Sequence, residues 1–229
     1  MKKAVPSVSA KMGRPRLFDD DTERRMVMDA AVRVMVRNGY ASMSVADVLA
    51  EANLTTSSFY RHFASKDALA EALVRRDTRS ARRSLDLAIE QAADPLAALD
   101  AWLEAVLDLF YEPGRAERTM VLSASDVMSS HRMPSVAEEM RWVLAEPVSD
   151  VLRAGHAAGV LHSPHPEADA VTLFSIVSSA AISARGWLST RKATKSHVLR
   201  FIGPALRIEG AGDMVAGTNK RHKARPRRG

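Results

Sequence analysis

Residues 54–69 read Leu-Thr-Thr-Ser-Ser-Phe-Tyr-Arg-His-Phe-Ala-Ser-Lys-Asp-Ala-Leu, and this stretch decides the fold. Core helices rarely carry Arg and His among three aromatics, and exposed helices rarely carry the aromatics. The mixture resolves by face if Thr56 to about Phe63 form a short helix. Phe59 and Phe63 then lie four apart and pack inward on Val48. Ser57, Tyr60 and Arg61 fall on another side, with Thr56 at the exposed N-terminal end. One face serves a core; the other offers hydroxyls, a phenol and a guanidinium to a partner.

The preceding residues supply a second short helix. Ser44 is a suitable N-cap with Asp47 three residues on, a capping box with Asp in place of Glu. The helix it opens would bury Val45, Val48, Leu49 and Ala52. Asn53, which tolerates the left-handed conformation, ends it. Thr55 can cap the next helix and Ser65 the one after, with Asp67 in its first turn. Two short helices joined by Ala52-Asn53-Leu54-Thr55 describe a helix-turn-helix. In that motif the second helix enters the DNA major groove. Its small first residues allow close approach to base edges. Tyr60 can give its hydroxyl to a phosphate or lay its ring on a thymine methyl. Arg61 can fork onto guanine or a phosphate. His62 and Lys66 are donors suited to phosphates, which position a protein without reading sequence.

Helical signals continue outward in both directions. From Asp19 to Asn38, the residues Met26, Val27, Ala30, Ala31, Val34 and Met35 keep helical spacing, and Asn38-Gly39 is expected to stop the helix. A long helix runs from about Lys66 toward Gln91, basic in its middle. Asp94-Pro95 opens another through Tyr111, with Pro at its first position. Further helices are expected at about 116–128, 135–158 with a kink at Pro147, 167–188 and 195–209. There is no alternating strand pattern and no internal repeat, so the fold class is all-α.

The chain has 229 residues, no cysteine, and a net charge of +6 that is unevenly laid out. Residues 1–16 carry +5 and residues 218–229 carry +6, leaving −5 on everything between. Basic arms commonly bind nucleic acid, although a solubilising tail has the same composition. Without cysteine there can be no disulfide and no zinc–thiolate site, which suits a reducing cytoplasm. The N-terminus lacks the apolar stretch of a signal peptide. The uncharged run Ala170–Ala184 is too short and too polar to span a bilayer. A soluble, cytoplasmic protein is expected.

With these residues in place, the region from about 22 to 69 resembles the N-terminal domain of TetR/AcrR-type transcriptional regulators. The resemblance is carried by Ser44-Val45-Ala46-Asp47-Val48, Ala52-Asn53-Leu54-Thr55, Ser57-Ser58-Phe59-Tyr60-Arg61-His62-Phe63 and Ser65-Lys66-Asp67-Ala68-Leu69. It implies phosphate contacts from Ser44, Tyr60, His62 and Lys66. Asn53 stands where the family usually has a turn Gly. Ala46 stands where some relatives have a long, base-touching side chain. Base reading should therefore rest on Thr56, Ser57, Ser58, Tyr60 and Arg61, with Thr55 beside them among the DNA-binding candidates. Gly13-Arg14-Pro15-Arg16 is also seen in the family, and Arg14 and Arg16 suit a narrow, electronegative minor groove.

The resemblance further implies a dimer bound to a palindromic duplex, and a body that holds a small effector. Paired half-sites need paired recognition helices about one DNA turn apart, ~34–36 Å, or a small multiple of it. Ser178, Ala181, Ile182 and Arg185, with Val198, Phe201 and Ile202, are the candidate dimer seam. Trp102, Phe110, Tyr111, Met120, Met128, Trp142 and Phe174 are the candidate pocket, which would be mainly apolar and suit a hydrophobic effector. Both sets equally describe ordinary helical core.

The expected organisation is a basic arm at 1–18, a helix-turn-helix domain at 19–66, a connecting helix at 67–93, a ligand-binding and dimerisation body at 94–211, and a basic disordered tail at 212–229. The function expected is a dimeric repressor released from its operator by a hydrophobic small molecule. The alternative is a helical small-molecule-binding protein or enzyme with an incidental helix-turn-helix. Nothing supports catalysis: there is no G-x-S-x-G, phosphate-cradling Gly loop or H-E-x-x-H. Adjacent Glu138 and Glu139 point to different helix faces. His162 and His165 have a metal-like spacing but no carboxylate cluster beside them in sequence. No cofactor and no metal are expected.

Overall fold

The computed structural model describes residues 19–130, 133–183 and 190–208, which form ten helices and no strand. The arm with Arg14 and Arg16, Arg185, and the C-terminal tail lie outside the described residues.

Helix α1 spans Asp20–Ser42. Asp19 caps it, accepting from the Thr22 amide at 2.8 Å, and Asp20, Asp21 and Glu23 complement the positive helix end. The Asn38-Gly39 stop is a kink instead. Gly39 takes φ 75°, and the chain regains helical form through Ser42, which turns Tyr40 inward to 6% exposure. Helices α2 (Val45–Ala52) and α3 (Thr56–His62) follow as the sequence predicts. They lead into the 25-residue α4 (Lys66–Glu90), capped by Ser65 through the Ala68 amide.

The body comprises α5 (Pro95–Tyr111), α6 (Arg115–Leu122), α7 (Ser125–Met128), α8 (Met133–Ala157), α9 (Pro166–Ser183) and α10 (Arg191–Ala205). The segment expected as one helix over 116–128 is thus two, broken at Ser123-Ala124. The last helix starts at Arg191, not 195, because Thr190 accepts from the Ala193 amide as its cap. α8 runs through Pro147 as one helix. Proline has no N–H to give Val143, and the Arg82 guanidinium donates to that carbonyl instead, at 3.3 Å. A neighbouring helix satisfies the group that the proline leaves open.

Two apolar cores lie along α4. The first holds Val27, Met35, Val48, Phe59, Phe63, Leu69 and Leu73, and it is completed by Leu122, Val127, Met133 and Val136 from α6 to α8. The second holds Leu85, Trp102, Val106, Phe110, Val148, Phe174, Val198 and Ile202. α4 feeds Leu69 and Leu73 to one core and Ala81 and Leu85 to the other. A rotation of α4 therefore acts on both. No helix among the described residues is long and apolar enough to cross a membrane.

Candidate nucleic-acid interface

The α2–turn–α3 unit is held locally by the devices that its sequence advertises. The Asp47 amide donates to Ser44 Oγ at 3.1 Å, and Asp47 Oδ2 accepts from the Ser44 amide at 2.9 Å and from Ser44 Oγ–H at 2.6 Å. The Ser44 hydroxyl, followed by its backbone N–H, holds the Asp47 carboxyl below the usual aspartate value. Asn53 adopts φ 53°, ψ 45°, and the Leu54 amide closes back on the Leu49 carbonyl at 3.1 Å.

Thr55 differs from expectation. Its backbone has cap geometry, but its hydroxyl makes no cap bond to the backbone. It pairs with Ser57 Oγ at 2.9 Å and Ser58 Oγ at 3.3 Å, so the α3 N-terminus presents a linked hydroxyl group.

α3 divides by face. Phe59 is fully buried and Phe63 nearly so, their rings 5.8 Å apart. Deleting either ring would cost about 3–5 kcal/mol, enough to unseat the helix. Thr55, Thr56, Ser57 and Tyr60 are exposed on the outer side, Tyr60 at 57% with its ring edge-on to Phe59. Ser58, expected among the base readers, is instead 6% exposed. It sits beside Phe59 on the packed side, out of reach of an outside partner.

The three basic side chains nearest this face are placed in ways the sequence does not reveal. Arg61 Nη1 donates to Glu23 Oε2 at 2.7 Å and lies 3.6 Å from Asp20 Oδ1. The His62 side chain is 7% exposed, with Nε2 at 3.5 Å from the same Glu23 oxygen. Lys66 Nζ donates to the carbonyls of Tyr40 at 3.1 Å, Met43 at 3.2 Å and Ala41 at 3.5 Å, and sits 4.4 Å over the Tyr40 ring. An ammonium has three protons, and all three have acceptors here. Without DNA, His62 is packed against α1 and Lys66 closes its C-terminal end, so a phosphate would have to compete with these contacts. Tyr40 completes this joint by donating its hydroxyl to Asp67. Burial, then that bond, pushes its phenol above the usual tyrosine range.

Glu23 is the residue that sequence reading missed. Asp19, Asp20 and Asp21 just before it read as helix-start charges, and Glu23 passes for one more, yet it is 6% exposed, accepts from Arg61 and lies 3.5 Å from His62 Nε2. Asp20, Glu23 and His62 bring ligand atoms within 4.8 Å of one another. The Arg61 guanidinium already supplies positive charge to this cluster.

In the body, a cavity of about 520 Å³ opens where α1, α4, α5, α6, α7 and α8 meet. Of the seven pocket candidates, Met128 alone lines it. Trp102, Phe110 and Phe174 are buried in the second core, with the Trp102 indole N–H on the Leu144 carbonyl at 3.4 Å. Tyr111 Oη bonds Thr194 Oγ1 at 2.6 Å, Met120 packs half-buried on the core, and Trp142 is 49% exposed. The cavity wall is mainly apolar, and Arg76, Arg83, Arg115 and Arg118 share it. Of the candidate seam, Ala181, Val198 and Ile202 are fully used in the chain's own core, while Ile182 and Phe201 are 37% and 56% exposed. Ser178 is half-buried, its hydroxyl on the Phe174 carbonyl at 2.7 Å.

Comparison with known proteins agrees with this layout. Residues 27–73 match the model of the bacterial regulatory proteins of the tetR family. The chain is 32% identical over 81 residues to the HTH-type transcriptional regulator BetI of Brucella abortus (strain 2308), covering 35% of this chain and 41% of that protein. It is 33% identical over 75 residues to the A-factor receptor protein of Streptomyces griseus, covering 33% of this chain and 25% of that one. The chain thus spans less than half the length of the curated relatives it matches. Beyond the first helices the likeness is one of fold. A TetR-family transcriptional regulator from Agrobacterium tumefaciens superposes with TM-score 0.65 at 22% identity, over 82% of this chain and 99% of that one. A SmeT–triclosan complex does so with TM-score 0.67 at 20% identity, over 83% and 94%. Residues 27–73 thus match a tetR-type DNA-binding domain in sequence, and the helical body matches solved tetR-family structures in fold.

Proposed function

We propose that this protein is a sequence-specific transcriptional regulator that binds a palindromic operator as a homodimer, represses from it, and is released by a small-molecule effector. The observation that carries this reading is the outer face of α3. Thr55, Thr56, Ser57 and Tyr60 stand exposed on a helix whose inner face is fixed by Phe59 and Phe63. Such a row offers hydroxyls and one amphipathic ring to base edges and phosphates, on a support too rigid to adapt to a non-cognate groove. Arg61 joins it once DNA competes with Glu23, and the Arg14/Arg16 arm adds minor-groove contacts. Ser44 acts by squaring the start of α2 against the backbone, because its proton is committed to Asp47.

In this reading residues 19–66 form the DNA-binding head, α4 the connector, and 94–211 the body, with the exposed Ile182 and Phe201 facing a second copy. The effector lies in the cavity beside α4, whose movement alters the spacing of two recognition helices only if the effector prefers one spacing. The site of action is the cytoplasm.

The test is binding of the purified full-length protein to the duplex upstream of its own gene. Specific duplex should compete and random duplex should not, with a strong salt dependence. Equal competition by random duplex would remove sequence-specific regulation from consideration.

A further inference from the structure

We propose that the cavity beside α4 takes an amphipathic anion, a carboxylate on an apolar tail, whose head competes with Asp29 for Arg76. This rests on the reading of the protein as an effector-responsive regulator and names the chemistry of its effector.

The cavity wall has two kinds of surface. Val74, Leu109, Leu122, Met128, Met140 and Leu144 form the apolar side, suited to a hydrocarbon tail, and about 520 Å³ is within the range of ordinary ligand cavities. The wall also carries four arginines against two aspartates, Asp29 and Asp77. A cavity with an excess of two positive charges selects for an anion.

The arginines differ in how many of their donors are met. Arg118 forks onto Asp77, with Nη2 to Oδ1 at 2.6 Å, so both partners are used. Arg115 Nη2 donates to Ser84 Oγ at 2.7 Å. Arg76 Nη1 donates to Asp29 Oδ1 at 2.9 Å, but Arg76 Nη2 is buried with no acceptor. Buried donors in folded proteins find acceptors, and a buried guanidinium N–H without one is costly. Arg83, exposed at the mouth one face along α4, forms no ion pair or hydrogen bond among the described residues. A carboxylate entering past Arg83 satisfies Arg76 Nη2 with a charge-assisted bond. A cation would find both aspartates already paired, and a neutral chain would leave Nη2 as it is.

The Arg76–Asp29 pair also gives the ligand a lever. Arg76 belongs to α4 and Asp29 to α1, so this pair ties the connector to the DNA-binding head. A ligand carboxylate on Arg76 offsets the charge that holds Asp29. The anion therefore favours the arrangement in which α1 and α4 are less tightly joined.

The experiment uses full-length protein, with decanoate, decanol and decyltrimethylammonium each titrated calorimetrically below its micellar concentration. Decanoate should bind about tenfold or more tightly than either of the others, the size of one charge-assisted hydrogen bond. Arg83→Met, at an exposed position that leaves folding intact, and Arg76→Met should each weaken decanoate about tenfold and leave decanol unchanged. Decanol binding as tightly as decanoate, or Arg83→Met and Arg76→Met both holding decanoate like wild type, overturns the anion class. Saturating decanoate should release wild-type protein from its upstream duplex; decanoate that binds without releasing DNA overturns the Arg76 lever. If the unliganded protein ignores the duplex, the regulator reading fails while the calorimetric result on anion choice still stands.

Discussion

Arg61 Nη1 donates to Glu23 Oε2 at 2.7 Å, so the recognition helix's one guanidinium is tied to the first turn of α1. DNA must therefore compete with a nearly buried carboxylate for the side chain best shaped to fork onto guanine. Part of the intrinsic value of that contact is spent on release, which lowers affinity for every duplex and most for those offering Arg61 nothing better than Glu23. A duplex that repays the lost Glu23 contact is thereby favoured over one that does not.

Glu23→Gln should relax that restraint. The amide still accepts a hydrogen bond but carries no charge, so the cost to folding should be about 1 kcal/mol. Non-specific duplex binding should tighten, and the slope of log affinity against log salt should steepen by about 0.9, one more phosphate neutralised. Measured by fluorescence anisotropy over a salt series, an unchanged slope would show that Glu23 does not withhold Arg61 from DNA.

Tyr60→Ala separates recognition from folding. The ring is 57% exposed and touches the core only edge-on at Phe59. Its loss should shift stability by no more than about 1 kcal/mol. Operator affinity should drop by about tenfold or more, the worth of one good base or phosphate contact. Equal operator affinity in the variant, at equal thermal midpoint, would exclude Tyr60 from the interface.

These two residues mark what a sequence can and cannot reveal. The split of α3 into Phe59/Phe63 and Thr56/Ser57/Tyr60 follows from a 3.6-residue period, so it is visible in seven consecutive letters. So are the Ser44–Asp47 box and the Asn53 stop, which depend on neighbours within four positions. Glu23 and Arg61 lie 38 positions apart, and Arg76 and Asp29 lie 47 apart. No local pattern encodes such pairs, since an acid in a first helical turn has an adequate explanation without them. The lining of the cavity beside α4 is hidden for a related reason. Trp102, Phe110 and Phe174 are spaced for burial, and burial in a core looks the same in sequence as burial around a ligand. The arginines that line the cavity beside α4 read as a solvated helix face.

Lys66→Met tests the structural role of that lysine. Its three carbonyl acceptors belong to the last turn of α1 and the Met43 cap, and methionine satisfies none of them. Stability should fall by about 1.5–3 kcal/mol in urea unfolding. The salt slope of DNA binding should stay at its wild-type value. The reverse pattern, intact stability with a slope lower by about 0.9, would return Lys66 to the phosphates.

Gly155→Ala tests the packing of α8 on the following loop. A Cβ there would lie 2.7 Å from Leu161 Cγ and 3.3 Å from Pro95 Cβ, and Leu161 is 4% exposed, so it has no room to withdraw. Overpacking costs about 1–3 kcal/mol, against about 1 kcal/mol that alanine returns as a better helix former. A net loss is expected, visible as a lower urea midpoint at unchanged m-value. Leu161→Ala in the same chain should remove the clash, so the second substitution should cost less in Gly155→Ala than in wild type. Additive costs would refute the steric account.

Ser44→Ala should weaken α2 in a way that depends on pH. The Ser44 hydroxyl and amide hold Asp47 below its ordinary value of 3.8 in the folded chain. A carboxyl whose folded pKa is depressed stabilises the fold fully above that ordinary value, and loses the contribution as pH falls through the folded one. In thermal melts between pH 7 and pH 2.5, wild type should exceed Ser44→Ala by a constant margin down to about pH 4. The margin should then narrow as Asp47 takes up its proton and can no longer accept from both Ser44 donors. Taking the difference between the two proteins cancels every other carboxylate that titrates in the same range. A margin independent of pH would mean that the Ser44 hydroxyl acts on the Asp47 amide alone and that the return bond from the carboxylate contributes nothing.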